Sequence, residues 1–218
     1  MIEISYILIP ITAYILGSIP FGYLITKYTT NKNLLEIGWK KNSGSNVFKN
    51  VGLWQGVFTF VFDVAKGWLA VYLAQYFGLS ILLQILCGVL AVFGHNWSCF
   101  LKFKGGRGLA ALIGALFAIS PIVLFISLIP CIIFTIIWTA SVGTLLSFLT
   151  GIIFSFSFKG YEMAGLLMLI SLIPVLIKRL SPIKELQNNP SYKELMENRL
   201  IFDQDTVPPI RLSIKKRK

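Results

Sequence analysis

The chain is predicted to be an all-α polytopic integral membrane protein of about seven transmembrane helices, N-terminus outside and C-terminus cytoplasmic. Three observations carry this. Hydrophobic residues make up 56% of the chain and charged residues 13%, with mean hydropathy +0.75, whereas globular chains carry about 25% charged residues. Apolar runs long enough to cross roughly 30 Å of hydrocarbon, about 20 residues each, recur along the sequence. The basic residues behind the net charge of +11 collect between these runs and after the last one. Cytoplasmic loops concentrate Lys and Arg in this way, and basic segments there meet anionic headgroups. The charge is therefore interfacial: membrane lipids are expected partners and nucleic acid is not.

The expected helices span residues 4–27, 51–76, 80–101, 108–119, 121–138, 140–158 and 162–178. The first lacks the basic start and small-residue cleavage site of a removable signal, so it is read as retained. The fourth is short and ends before Pro121, because proline cannot continue the hydrogen-bond ladder. Residues 108–158 admit a second reading as two long spans, which makes six helices. Charge bias decides between them. Loop 28–50 carries Lys32, Lys40, Lys41 and Lys49, loop 102–107 carries Lys102, Lys104 and Arg107, and the tail opens with Lys178 and Arg179. Seven spans put all three on the cytoplasmic face. The membrane domain is expected over 1–186. Residues 187–218 form a polar, basic cytoplasmic tail with a short amphipathic helix near 191–202 and a mobile end.

Several constellations sit where these spans meet the membrane surface. GSIPFGYLITK (17–27) places Pro20 inside the first span, as a kink or as backbone exposed to a polar cavity. In EIGWKKNSGSNVFKN (36–50), Ser43 to Asn46 form a turn into a helix start, read either as an anion site or as an ordinary N-cap. Asp63 and Lys66 lie three residues apart, on one face of the second span. Charges inside a span mark a polar cavity or an ion pair that orients helices.

The run GHNWSCFLKFKGGRGLAA (94–111) gathers the only histidine, His95, with Lys102, Lys104 and Arg107 around Gly105 and Gly106. Glycines admit a ligand close to the backbone and turn N–H groups toward it, and the cations supply charge to phosphate oxygens. A phosphate-bearing substrate at the bilayer edge is the expectation. His95 is read either as a hydrogen-bonded structural residue or as a substrate contact. Lys178 and Arg179 either reach a phosphate or snorkel as anchors. Cys87, Cys99 and Cys131 have no metal-ligand spacing and are expected as reduced thiols, and no metal site is expected.

Together these motifs resemble the PlsY family, bacterial glycerol-3-phosphate acyltransferases that use acyl phosphate as donor. GSIPFGYLI is similar to the family's first-helix motif. Asn46–Val47, Gly52 with Gly56, and Asp63 with Lys66–Gly67 fall at family spacing, and residues 94–111 resemble GHxxPxFLKFKGGKGVAT, with Ser98 for proline and Arg107 for lysine. The resemblance covers about residues 14–185. It implies a seven-helix fold in a bacterial plasma membrane and transfer of an acyl group to the 1-hydroxyl of glycerol 3-phosphate, giving lysophosphatidate.

It further implies Ser45, Asn46, His95 and Lys104 as catalytic residues. Lys49, Lys102, Gly105, Gly106, Arg107, Arg179 and Glu185 are implied as substrate-binding. The glycine loop with Lys104 and Arg107 would hold acyl phosphate, while Ser45, Asn46, Lys49 and Arg179 would hold glycerol 3-phosphate. An acyl phosphate is already activated, so no cofactor, acyl-CoA or acyl carrier protein is expected, and a monomer suffices.

Two motifs depart from the family. Against GSGNxGATN the chain has Gly38 to Asn46 with Trp39 in place of the active-site serine. Against HxxNIxRLxxGxE it keeps Ile177, Arg179, Leu180 and Glu185 but places Ile173 and Leu176 at the histidine and asparagine. These departures predict lowered turnover. The rival expectation is a family member that binds lipid or phosphate without turnover. A small-anion transporter fits the hydropathy but not the motif set.

Overall fold

The structure, a computed structural model, describes residues 2–182 and 190–202, all helix, turn or loop with no strand among them. Ten α-helices follow in chain order: α1 Ile2–Ser18, α2 Phe21–Thr30, α3 Gly44–Asn50, α4 Leu53–Tyr76, α5 Ile81–Asn96, α6 Leu109–Ile119, α7 Pro121–Ile137, α8 Ala140–Ser157, α9 Glu162–Leu180 and α10 Tyr192–Ile201.

All seven apolar segments expected from the sequence are helical, with two corrections. The first span breaks between Ser18 and Phe21, because Pro20 supplies no N–H. The third ends at Asn96, and residues 99–101 form a separate 3₁₀ turn that starts the basic loop. Five segments are long and apolar enough to cross a membrane: Ile4–Thr30, Leu53–Tyr76, Ile81–Leu101, Ala140–Ser157 and Glu162–Leu180. α6 and α7 are shorter apolar helices that meet at Ser120, whose hydroxyl caps α7 ahead of Pro121.

Small residues decide which helices touch. A Cβ on Gly67 would overlap the Ala111 carbonyl, and one on Gly114 would overlap the Val64 carbonyl, so α4 and α6 meet backbone to backbone. Gly17 and Gly94 do the same for α1 and α5. Around these contacts Val71, Val92, Leu116, Leu167 and Val175 form a core in which α4, α5, α6 and α9 converge. The opposite faces are apolar and exposed, such as Phe58 and Val61 on α4 and Ile129 and Ile136 on α7, as expected of surfaces that meet acyl chains.

α10 falls where the sequence predicts a short amphipathic helix near 191–202. Its face of Leu195, Asn198 and Arg199 is buried against the rest of the fold.

Candidate active site

Four polar groups from three segments converge at the end of the bundle that carries the basic loops. The Asp63 carboxylate lies 2.7 Å from Lys66 Nζ and 3.4 Å from His95 Nδ1, with all three side chains buried. Lys66 also donates to the Ile19 carbonyl at 2.9 Å, beside the break at Pro20. The broken first span and the charged second span are thus one device: backbone opened by proline is satisfied by a lysine whose charge Asp63 neutralises. Asp63 is the one acidic residue between Glu36 and Glu162, so it alone balances this cluster along that length.

The carboxylate beside Nδ1 favours the histidine tautomer protonated there. That leaves Nε2 as an acceptor, on the side where Gly106 sits. A Cβ on Gly106 would overlap Nε2 and the Asn42 carbonyl, and one on Gly105 would overlap the His95 and Asn96 carbonyls.

The expected anion cradle has one of its N–H groups engaged within the fold. The Gly106 N–H donates to the His95 carbonyl at 3.1 Å, and both glycines are buried. The pair is glycine because the basic loop presses onto α5 and residue 42. Lys102 and Lys104 are exposed on the loop, which turns through left-handed backbone at Lys102 (φ 51°) and Phe103 (φ 60°). Arg107 points inward. Burial, and then the charge of neighbouring Arg179, push its guanidinium down to about 9, so an anion beside it would offset the cost of holding a cation there.

Loop 31–43 closes over the same place. Asn46 is fully buried: its amide group donates to the Ile37 and Lys41 carbonyls, and its oxygen accepts from the Trp39 N–H and from Asn50. Expected as catalytic, it has both ends of its amide engaged in shaping the loop. Ser43 accepts from the Asn46 N–H, which is the ordinary N-cap of α3. Lys40 (φ 54°) is left-handed where the family motif has its second glycine. Ser45 is exposed at the mouth, and Lys49 lies over the Trp39 ring, 5.4 Å from its centroid.

A cavity of about 310 Å³ opens here. Its mouth is Ser43, Ser45, Asp63, His95 and Arg107, and its depth is apolar: Leu112 and Leu116 of α6, Leu124 and Leu128 of α7, Phe148 of α8 and Met168 of α9. A second, open groove of about 630 Å³ shares Gly44, Ser45 and Phe60 with it and is walled by Trp39 and Lys49.

Arg179 is 1% exposed, and its Nη1 donates to the Ser141 carbonyl at 3.3 Å. Glu185 lies outside the described residues. Ile173, at the position of the family histidine, is 58% exposed on the outer face of α9, so a histidine there would not reach the cavity. Sequence reasoning did not include Asn42 or Ser98. Asn42 accepts from the Tyr23 N–H, and Ser98 donates to the Ser18 carbonyl at 2.5 Å. Both bonds bridge loops to the α1–α2 break, and short polar residues in a polar loop carry no sign of that in sequence.

No group of three or more His, Cys, Asp or Glu able to hold a metal occurs among the described residues.

The chain is similar to known proteins. A family model described as glycerol-3-phosphate acyltransferase matches residues 7–189. Glycerol-3-phosphate acyltransferase 4 of Dehalococcoides mccartyi (strain CBDB1) is 32% identical, over 94% of this chain and 91% of its own length. The glycerol-3-phosphate acyltransferase of Prochlorococcus marinus (strain MIT 9215) is 42% identical over 52% of this chain and 58% of its own. The crystal structure of PlsY, an integral membrane glycerol 3-phosphate acyltransferase, in its glycerol 3-phosphate form superposes with a TM-score of 0.73 at 29% identity, covering 84% of this chain and 92% of that one. Its lysophosphatidic acid form gives a TM-score of 0.70. The chain belongs to the glycerol-3-phosphate acyltransferase family of integral membrane enzymes.

Proposed function

We propose that the protein transfers a fatty acyl group from acyl phosphate to the 1-hydroxyl of glycerol 3-phosphate in the bacterial plasma membrane, releasing lysophosphatidate and inorganic phosphate. One observation carries this reading: a single cavity joins a cationic, hydroxyl-bearing mouth to an apolar depth between α6, α7, α8 and α9. That shape suits an anionic head on an acyl chain.

In this reading Arg107 holds the donor phosphate, and the chain lies along Leu112, Leu116 and Phe148. Glycerol 3-phosphate enters past Ser45 and Lys49, where Ser45 is a wall of both cavities. His95, turned by Asp63, accepts a hydrogen bond from the attacking hydroxyl and orients it. The oxygen attacks the acyl carbon, the bond from that carbon to the phosphate oxygen breaks, and the hydroxyl proton leaves with the departing phosphate. No covalent enzyme intermediate is needed, so positioning and charge supply the acceleration. Asn46 acts through the loop as a positioning residue, while the exposed Lys102 and Lys104 draw anionic lipids and substrates to the mouth. Trp39 lowers turnover, because an indole donates but cannot accept where a hydroxyl does both. With seven spans, both termini take the orientation expected from charge, and a monomer holds the whole site.

Donor choice tests the reading. Purified protein should convert radiolabelled glycerol 3-phosphate to lysophosphatidate with palmitoyl phosphate and not with palmitoyl-CoA. Product from the thioester alone, or from neither donor, refutes it.

A further inference from the structure

α10 lies past the residues matched by the family model, which end at 189. It is nonetheless bonded to the start of α8 and to the end of α9, two helices that line the cavity. The Thr139 hydroxyl donates to the Ile201 carbonyl at 2.8 Å, and the Ser141 hydroxyl donates to the Leu200 carbonyl at 2.7 Å. These two residues bracket Ala140, a cavity wall and the first residue of α8. From α10, Arg199 is 3% exposed and donates to the Leu180 and Pro182 carbonyls, at 2.8 and 3.1 Å, just past the end of α9. Arg179 closes the circuit by donating to the Ser141 carbonyl.

The last carbonyls of a helix have no partner within it. Here α10 gives two of its own to the hydroxyls of the α8 N-cap, Thr139, and of Ser141, while its arginine donates to the last carbonyl of α9 and to that of Pro182. Each of these groups is buried or half-buried, so parting the helices leaves unmatched polar atoms. The bonds are specific to this juxtaposition and do more than cover an apolar face.

The geometry points to α10 as a strap that sets the start of α8 and holds Arg179 beside Arg107, with Arg199 as its positioning residue. This rests on the reading of the cavity as an acyl-phosphate site. Arg199 touches no substrate. Its effect reaches the phosphate through Arg179 and through the Ala140 wall, so its loss should weaken recognition of the anionic head more than it slows the chemical step.

Binding of a non-hydrolysable palmitoyl phosphonate to the full-length protein in lipid nanodiscs tests this even without turnover. Arg199→Ala should weaken phosphonate affinity about tenfold, in keeping with loss of buried bonds to a charged group. Arg199→Lys should recover part of the loss, and kcat should stay within about threefold of wild type while KM for palmitoyl phosphate rises. The double variant Thr139→Val with Ser141→Ala cuts the strap from the α8 side and should reproduce the effect, which covers the case that Arg199→Ala does not fold. A lower unfolding temperature with unchanged phosphonate affinity would show that α10 only stabilises the fold and overturns the proposal. Phosphonate binding by wild type without turnover defeats the proposed function but leaves the strap to stand or fall on affinity. Wild type that does not bind the phosphonate defeats both.

Discussion

At the residue scale, Asp63 holds the site together, because it lies buried between Lys66 and His95 and pairs with both. Removing one partner of a buried ion pair costs about 3–5 kcal/mol, since the other is left uncompensated. Asp63→Asn should therefore lower the unfolding temperature in detergent sharply and abolish activity. Asp63→Leu with Lys66→Met should recover much of the stability and none of the activity. If the single and double variants melt alike, the pair contributes nothing. Gly106→Ala should likewise inactivate by displacing the His95 ring, while Lys104→Ala, on an exposed side chain, should change stability by less than about 0.5 kcal/mol. Equal losses of activity at 104 and 106 would restore the cradle reading. Trp39→Ser should raise turnover by supplying the acceptor that an indole lacks. Unchanged or lower turnover would mean that residue 39 does not meet the acceptor. His95 and Arg107 at the cavity mouth were legible in the sequence because charges and glycines in a membrane chain stand out, whereas Ser45 was implied only by the family resemblance. The engagement of Asn46 and Gly106 within the fold was not legible, since a residue type that can bind a ligand can equally bind its own backbone.

At the element scale, the cavity exists because α6 is drawn against α4 and stands away from α7 and α8. Gly67 and Gly114 make that possible, each seated on a carbonyl of the facing helix. Gly67→Val should push α6 into the cavity. Overpacking of this kind typically costs about 1–3 kcal/mol, and donor KM should rise with it. A variant that keeps wild-type KM would show that the α4–α6 contact does not shape the site. The helices themselves were readable from apolar runs and from Pro121. The break at Pro20 was visible as a proline in a span, but its purpose was not, because the Lys66 that satisfies Ile19 comes from another helix. The docking of α10 was likewise hidden, since the hydroxyls that hold it lie at the start of α8, far off in sequence.

For the whole molecule, the basic loops, the cavity mouth and α10 gather at one end of the bundle, and charge bias predicts that this end faces the cytoplasm. In a cysteine-free background, single cysteines at Lys41 and at the exposed Lys104 should escape an impermeant thiol reagent in intact cells and react after permeabilisation. Labelling of either from outside would reverse the orientation. In the proposed reaction one cavity receives the phosphate at its mouth and the acyl chain in its depth, and this arrangement supports transfer. Leu112 lines its apolar depth, so Leu112→Trp should fill the path of the chain and leave the mouth intact. The most direct measurement is the rate of lysophosphatidate formation from palmitoyl phosphate and glycerol 3-phosphate by wild type and by Leu112→Trp, side by side. Wild type should form product and the variant should lose roughly a hundredfold or more, the scale of effect that a misplaced reacting group can have. No product from wild type, or equal rates from the two proteins, would contradict the proposed reaction.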